Sequence, residues 1–150
     1  MGILVGDTDA KNSIVKICNT FCGYCSEAHK HIDYILENKP DFNVRIIYVI
    51  PDIDHPAAHA IKHLLAIAEM GDQNYTRKAL DDWYLSSIKN YPEFAAKYPI
   101  KIENLEAQAI KLNKMSSWCK NAGIHYTPQF FINGYQIPEN YKIEEIKHIL

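Results

Sequence analysis

The sequence lacks long apolar runs, a strong charge of either sign and a high cysteine content. No apolar stretch approaches the ~20 residues that span a bilayer, and residues 1–6 lack the basic and apolar regions of a signal peptide. We therefore expect neither a transmembrane nor a signal segment in this chain. A net charge of −2 gives no electrostatic basis for binding nucleic acid or anionic membranes. Four cysteines are too few for a disulfide-stabilised scaffold.

The remaining composition is ordinary for a globular protein, with 47% hydrophobic and 23% charged residues. A chain of 150 residues can bury a substantial core and fits one domain. The sequence contains no internal repeat, low-complexity segment or flexible linker that would divide it. We therefore predict a single domain over residues 1–150.

Two of the cysteines form a close pair, Cys22 and Cys25, separated by Gly-Tyr. The pair lies where a run of β-forming residues, 13–18, gives way to a helical pattern at 26–38. Cysteines three apart at a helix N-terminus can close a small disulfide ring. The first thiol then lies at the positive end of the helix dipole, where free backbone N–H groups stabilise its thiolate. Because the thiolate is the form that attacks disulfides, this position indicates thiol–disulfide exchange.

Hydrophobic periodicity predicts the element order β-α-β, a helical block, and then β-β-α. The predicted strands are Ile3–Val5 (an edge strand), Ile14–Cys18, Phe42–Ile50, Gln129–Ile132 and Tyr135–Ile137. The predicted helices are Ser26–Asn38, Pro56–Met70, Asp72–Lys89, Tyr91–Tyr98, Glu103–Asn121 and Ile143–Leu150. The first unit should contain parallel strands, and Asn133-Gly134 predicts a hairpin turn. The expected fold is an α/β mixed sheet flanked by helices, with a helical insertion at approximately 55–100 that continues into the long helix 103–121.

This arrangement resembles the thioredoxin fold, and the mid-chain helical insertion resembles its DsbA-like branch. The matching segments are 6–11, 21–25 and 127–134, which follow one another in the right order along most of the chain. The third segment, Thr-Pro-Gln-Phe-Phe-Ile-Asn-Gly, is similar to the cis-proline loop of this family and the strand after it. A CxxC motif together with this later segment is a much more specific signal than CxxC alone.

The resemblance implies a role for each residue of the motif. Cys22 would be the exposed nucleophile and Cys25 the resolving thiol, while Gly23 and Tyr24 would tune the redox balance. The expected activity is disulfide exchange with protein or peptide thiols, by oxidation, reduction or isomerisation. The Cys22–Cys25 disulfide itself would be the redox group, so no metal or organic cofactor is expected.

The resemblance also implies a substrate-binding surface formed by Phe21 and the loop at Thr127 and Pro128. A cis-proline has no N–H, so its loop can lie against the cysteine pair without competing as a donor. Thr127 would then offer backbone hydrogen bonds to an extended substrate segment.

Three further segments, 62–67, 79–85 and 118–119, resemble the thioredoxin domains that some bacteria fuse to a vitamin K epoxide reductase-like membrane protein. In such fusions the membrane partner reoxidises the soluble domain and passes electrons to a quinone. The resemblance therefore implies a quinone-linked redox partner and an extracytoplasmic location, since disulfide formation belongs outside the reducing cytosol. No separate dimerisation segment is visible, which favours a monomer.

Two positions depart from the family pattern. Some members have a buried acid six residues before the first cysteine, where this sequence has Lys16, so an acidic proton relay is absent. The Gly-Tyr pair, with threonine before the proline, is similar to bacterial disulfide isomerases and reductants more than to the strongest oxidants. The direction of electron flow therefore remains open at this point.

Several other interpretations of the cysteines and histidines remain open. Cys18, Cys22 and Cys25 match the CxxxCxxC spacing of iron–sulfur enzymes, and the same three with His29 could form a zinc site. Cys18 and Cys119 could instead be buried small hydrophobic residues, or a second redox pair.

Two features outside the cysteines also allow a functional and a structural interpretation. The histidines at every fourth position, 55, 59 and 63, could bind a metal or form a polar helix stripe. The aromatic residues of the insertion could form its core or line a peptide groove; they are Tyr75, Trp83, Tyr84, Tyr91 and Phe94. A non-enzymatic binding or chaperone module with idle cysteines is the main functional alternative.

Overall fold

A five-stranded mixed sheet forms the centre of the computed structural model, which describes residues 1–150. The strands are β1 (Ile3–Gly6), β2 (Asn12–Cys18), β3 (Phe42–Tyr48), β4 (Gln129–Ile132) and β5 (Tyr135–Gln136). Their order across the sheet is β1-β3-β2-β4-β5, with β2 and β3 parallel and every other neighbouring pair antiparallel. The predicted parallel unit, edge strand and C-terminal hairpin are confirmed.

The side chains of the central strands explain why the sheet forms where it does. Consecutive residues of β3 are buried almost without interruption, and successive side chains point to opposite faces, so both faces of this strand are covered. A continuous apolar run is what such a strand requires. The turn between β4 and β5 places Asn133 and Gly134 at φ 50° and 86°, in the left-handed region that these two residue types tolerate best.

Helices surround the sheet as predicted, with a helical block between β3 and β4. Helix α1 (Gly23–Asn38) connects β2 to β3, and α7 (Ile143–Ile146) follows β5. The helices of the block are α2 (Ala57–Glu69), α3 (Gln73–Tyr84), α4 (Tyr91–Lys97), α5 (Ile102–Glu106) and α6 (Gln108–Asn121). None of these helices is long and apolar enough to cross a bilayer.

Several predicted boundaries were wrong. The predicted helix 72–89 ends at Tyr84, because the Lys89 Nζ donates to the carbonyls of Trp83 and Tyr84 at 2.8 and 2.9 Å and caps the helix early.

The long helix expected over 103–121 is two helices that meet at Ala107. There the Gln108 side chain donates to the Asn104 carbonyl at 3.2 Å and competes for an acceptor of the helical ladder. The predicted strand 42–50 ends at Tyr48, and the last helix ends at Ile146 instead of Leu150.

The aromatic residues of the helical block form its core, as the structural interpretation predicted. Trp83, Tyr84 and Phe94 are buried, and Tyr75 and Tyr91 pack against them partly exposed. The rings of Trp83 and Phe94 meet edge to face with centroids 5.4 Å apart. This core lies beside the loop that precedes α1, and it therefore connects the helical block to the cysteine pair.

Candidate functional site

Cys22 is the N-cap residue of α1, with extended backbone angles of φ −82° and ψ 117°. Its Sγ accepts a hydrogen bond from the backbone N–H of Cys25 at 3.2 Å, so the sulfur occupies the place of a capping oxygen. Cys22 is partly exposed, whereas Cys25, in the first turn of the helix, is fully buried. The two thiols of the motif therefore differ in access to solvent.

The loop before β4 lies against Cys22, although it is 105 residues away in sequence. The thiol of Cys22 donates to the Thr127 carbonyl at 3.6 Å, and the peptide between Thr127 and Pro128 is cis. The segment that resembled a cis-proline loop is thus in contact with the first cysteine of the motif.

The two thiols also differ in acidity. The hydrogen bond with the Cys25 side chain, followed by those with Thr127 and the backbone, outweighs burial and lowers the pKa of Cys22 to about 5. In Cys25, burial raises the pKa far above its usual range, and hydrogen bonding to Cys18 and Cys22 raises it further. At neutral pH the reduced site therefore holds a Cys22 thiolate beside a Cys25 thiol.

This difference predicts the pH dependence of alkylation in the reduced protein. The rate of iodoacetamide modification at Cys22 should rise through a midpoint at about pH 5 and then level off, because only the thiolate reacts. Cys25 should remain unmodified, since it is buried and protonated. Mass spectrometry of samples quenched at successive pH values measures both rates. A Cys22 midpoint near the ordinary value of about 8.5 would contradict this electrostatic account.

The same shift has a consequence for the stability of the reduced fold. The folded pKa of Cys22, about 5, lies below that of an unfolded cysteine, so the folded state loses its proton first. The resulting stabilisation is fully present above the unfolded pKa of about 8.5 and is lost as the pH falls through the folded value. Cys22→Ser serves as the control, because it should remove this part of the pH dependence.

The loop that precedes Cys22 is anchored by three side-chain hydrogen bonds. The Asn19 Oδ1 accepts from the Phe21 N–H at 2.9 Å, and the Thr20 hydroxyl donates to the Ala57 carbonyl at 3.0 Å. The Trp83 indole N–H donates to the Thr20 carbonyl at 2.8 Å. The sequence indicated Trp83 as an aromatic residue of the insertion core or of a peptide groove, and no local signal showed that it anchors the loop before Cys22.

The surface beside the cysteine pair is open and aromatic. Tyr24 is 79% exposed and Phe21 44% exposed, although the Phe21 ring also meets Trp83 edge to face. A Cβ at Gly23 would meet no atom within 4 Å, so glycine leaves free space next to Cys22. A groove of about 220 Å³ adjoins Thr127 on the other side. The predicted substrate-binding residues therefore lie around an accessible thiol.

The remaining two cysteines lie in the interior. Cys18 and Cys119 are both 0% exposed, and all four cysteines of the chain are free. The Sγ of Cys18 lies 3.2 Å from the Tyr84 hydroxyl, at the end of β2. Burial, together with negative charge on Cys18, raises the pKa of Cys119 to about 11. The interpretation of both as buried residues is confirmed.

The sequence profile of the thioredoxin family matches residues 1–150. The chain belongs to the thioredoxin family. No curated protein sequence matches it significantly.

Solved structures share the same fold at low sequence identity. ScsC from Proteus mirabilis superposes with a TM-score of 0.81 at 20% identity, over 98% of this chain and 69% of that one. The thiol-disulfide exchange protein alpha-DsbA2 from Wolbachia pipientis gives 0.75 at 13% identity, over 99% and 84%. A periplasmic thioredoxin-like protein from Salmonella enterica gives 0.78 at 16% identity, over 98% and 86%. The predicted DsbA-like thioredoxin fold is confirmed.

One group of side chains in this thioredoxin-family chain has metal-ligand spacing: His29, Asp33 and Asp81, whose ligand atoms lie within 4.8 Å of one another. The His29 Nε2 is 2.7 Å from Asp81, and burial followed by the hydrogen bond with Asp81 raises the pKa of Asp33 to about 8. A carboxyl pair that shares a proton explains this cluster without a metal. The alternative zinc set of Cys18, Cys22, Cys25 and His29 does not come together at ligand distances.

The three histidines at every fourth position each have structural contacts within the chain. His63 is buried and bonds to the Tyr91 hydroxyl at 3.1 Å and to the Tyr98 carbonyl. His59 stacks on Tyr91, and the Nδ1 of His55 accepts from a backbone N–H at 3.1 Å. These contacts favour the structural interpretation of the stripe, although His63 is buried where a partly exposed residue was predicted.

Proposed function

We propose that this chain is a thiol–disulfide oxidoreductase that exchanges disulfides with protein or peptide thiols through Cys22 and Cys25. The observation that supports this most directly is the contrast between the two thiols. Cys22 is accessible, hydrogen-bonded as the helix cap and acidic, while Cys25 is buried beneath it. A nucleophile and a resolving thiol require this division of exposure and acidity.

The exchange proceeds in two steps that conserve electrons. In the oxidising direction a substrate thiolate attacks the Cys22 Sγ of the Cys22–Cys25 disulfide, which forms a mixed disulfide and releases Cys25 as the thiolate. A second substrate thiolate then attacks the substrate sulfur of that mixed disulfide and displaces Cys22 as its thiolate. In the reducing direction the Cys22 thiolate attacks a substrate disulfide, and Cys25 resolves the adduct. The low pKa of Cys22 stabilises the reduced state and so favours the oxidising direction.

Substrate would bind in an extended conformation along the loop at Thr127. The backbone N–H of Thr127 makes no hydrogen bond within the chain, and Pro128 has none to offer. A peptide can therefore add to this loop as a strand while its cysteine reaches Cys22. Phe21 and Tyr24 supply exposed aromatic surface on the facing side, and Gly23 leaves room between them.

The same proposal extends to the oligomeric state, the location and the redox partner of the protein. We propose a single domain over residues 1–150 that acts as a monomer outside the cytosol, where disulfide formation is favoured. The description of one similar structure as a periplasmic protein, and of another as a thiol-disulfide exchange protein, supports this setting. A quinone-linked, vitamin K epoxide reductase-like membrane protein would be the redox partner, and no metal or organic cofactor would be required.

Two measurements test the proposal. The protein should accelerate insulin reduction or the oxidation of a reduced peptide, while a binding module with idle cysteines would leave both reactions at their uncatalysed rates. The equilibrium potential of Cys22–Cys25 against glutathione then gives the direction. We expect a value closer to the oxidant range of about −120 mV than to the thioredoxin value of about −270 mV.

A further inference from the structure

Lys16 is a fully buried lysine in the middle of the sheet. It lies on β2, between Ile46 of β3 and Phe130 of β4, and is 0% exposed. Lysine is almost never fully buried without a partner, because removing an ammonium from water is expensive. No carboxylate lies within 4.0 Å of its Nζ, however. The fold therefore holds a buried positive charge without a permanent counter-ion.

The contacts of this ammonium place it directly behind the cysteine pair. The Lys16 Nζ donates to the carbonyl of Cys25 at 3.1 Å and lies 4.6 Å from the centre of the Tyr84 ring. The Cys25 carbonyl accepts from one of the three N–H donors of the ammonium, and the face of the Tyr84 ring offsets part of its positive charge. Cys25 thus holds the ammonium through its carbonyl and also carries the thiol that must resolve the mixed disulfide.

The groups around Lys16 become negative only when they ionise. They are the thiols of Cys18 on β2 and of Cys22 and Cys25 on α1, and the phenols of Tyr48 on β3 and Tyr84 on α3. The carboxyl groups of Asp33 and Asp81, which share a proton, lie beside His29, and His29 stacks on Tyr84. The β4 neighbour, Phe130, has no ionisable group. Only a thiolate can therefore supply the missing counter-ion at neutral pH.

The chemistry places such a thiolate on Cys25 at one point in the cycle. When substrate attacks Cys22, the bond between Cys22 and Cys25 breaks and the electron pair remains on the Cys25 sulfur. In the reverse direction Cys25 loses its proton to water, attacks the Cys22 sulfur of the mixed disulfide, and expels the substrate as a thiolate. Both directions pass through a negative Cys25 in a buried site, where an unpaired charge is costly.

We propose that Lys16 is the charge-compensating residue for the Cys25 thiolate in both directions of exchange, an inference that rests on the proposed function. A fixed cation stabilises the thiolate by its charge and does not accept the proton. Lys16 positions a positive charge at Cys25, whereas the Cys22 sulfur has its own donor, the Cys25 N–H at the N-terminus of α1. Burial raises the pKa of Cys18, but its hydrogen bond with Cys25, followed by the charge of Lys16, lowers that pKa overall, so the ammonium acts on a thiol that contacts Cys25.

A two-phase reaction separates the roles of the two thiols. Reduced protein treated with Ellman's reagent should release one thionitrobenzoate when Cys22 attacks and a second when Cys25 resolves the adduct. In Lys16→Met, which keeps the length of the side chain and removes the charge, the pH midpoint of the second phase should rise by about one to two units. The first phase should change less than about twofold, because its nucleophile does not depend on Lys16.

The second phase of Lys16→Met should slow by less than its thiolate fraction falls. A thiol of higher pKa has a smaller thiolate fraction but a more nucleophilic thiolate, with a Brønsted coefficient of about 0.5. The second phase at neutral pH should therefore slow by about threefold to tenfold. Lys16→Arg, which retains the charge, should keep the wild-type midpoint. The matched control is Lys11→Met, which removes the same charge from an exposed position and should leave both phases unchanged.

The outcomes separate this inference from the proposed function. An unchanged second phase in folded Lys16→Met would overturn the role of Lys16 and leave the proposed function intact. Absence of both phases in the wild type would overturn the proposed function and this inference with it. If Lys16→Met does not fold, Lys16→Gln repeats the test.

Discussion

Replacing Cys22 by serine is expected to reduce disulfide exchange to the uncatalysed rate and to leave the fold intact. A serine hydroxyl cannot form a disulfide, so neither direction of exchange can begin. The hydroxyl can still cap α1 by accepting the Cys25 N–H, which Cys22 now does with its Sγ at 3.2 Å. The free energy of unfolding of the reduced protein at pH 5 should therefore change by less than about 1 kcal/mol. Insulin reduction and urea unfolding measure the two expectations separately.

The control for this variant is Cys119→Ala, which removes a free, buried cysteine outside the motif and should retain full turnover. Cys25→Ser tests the division of roles, because it keeps the nucleophile and removes the resolving thiol. It should accumulate a mixed disulfide with substrate that is visible on non-reducing gels and is absent when Cys22 is also serine. Full turnover in Cys22→Ser would refute the proposed function.

Replacing Trp83 by alanine is expected to lower the free energy of unfolding by about 3–5 kcal/mol, the usual range for a buried tryptophan. Trp83 is 2% exposed, and its ring packs edge to face against Phe21 and Phe94. Its indole N–H is also the hydrogen-bond donor for the Thr20 carbonyl, two residues before Cys22. The variant therefore loses core packing and the anchor of the loop before Cys22 together. Urea denaturation followed by circular dichroism measures the loss.

Trp83→Phe separates these two contributions. Phenylalanine keeps most of the ring packing but leaves the Thr20 carbonyl without its donor, which should cost about 1–3 kcal/mol. Turnover in this variant should fall more than that of a variant equally destabilised elsewhere, because the loop before Cys22 loses its attachment to α3. If Trp83→Phe were as stable and as active as the wild type, the hydrogen bond to Thr20 would have no role in positioning the site.

Most of the fold could be predicted from local patterns in the sequence. The strands were located correctly to within about two residues, because β-branched runs and the Asn133-Gly134 turn determine their own backbone conformation. The helix ends were less predictable. The end of α3 depends on Lys89 folding back onto its carbonyls, and the break before α6 depends on the Gln108 amide. Such side-chain contacts with backbone carbonyls compete with regular secondary structure and leave no periodic signal.

Only part of the candidate site could be predicted from local patterns in the sequence. The spacing of Cys22 and Cys25, and their position at the start of a helix, are local properties that the sequence shows directly. The resemblance of the segment at Thr127 added the second part of the site. Trp83, by contrast, reaches the Thr20 carbonyl across 63 positions of the chain, and its role could not be inferred from its neighbours.

The sequence by itself determined that the chain has a pair of cysteines three apart at a helix N-terminus and a sheet of mixed direction. These properties depend on the chemistry of residues a few positions apart. Only the tertiary structure decided that Cys22 contacts Thr127 while Cys25 and Lys16 share the interior. Acidity and burial are properties of the surroundings, and those surroundings come from strands and helices far apart in the chain. Lys16 is an example, because its position between β3 and β4 buries a side chain that its own sequence neighbours do not mark as buried.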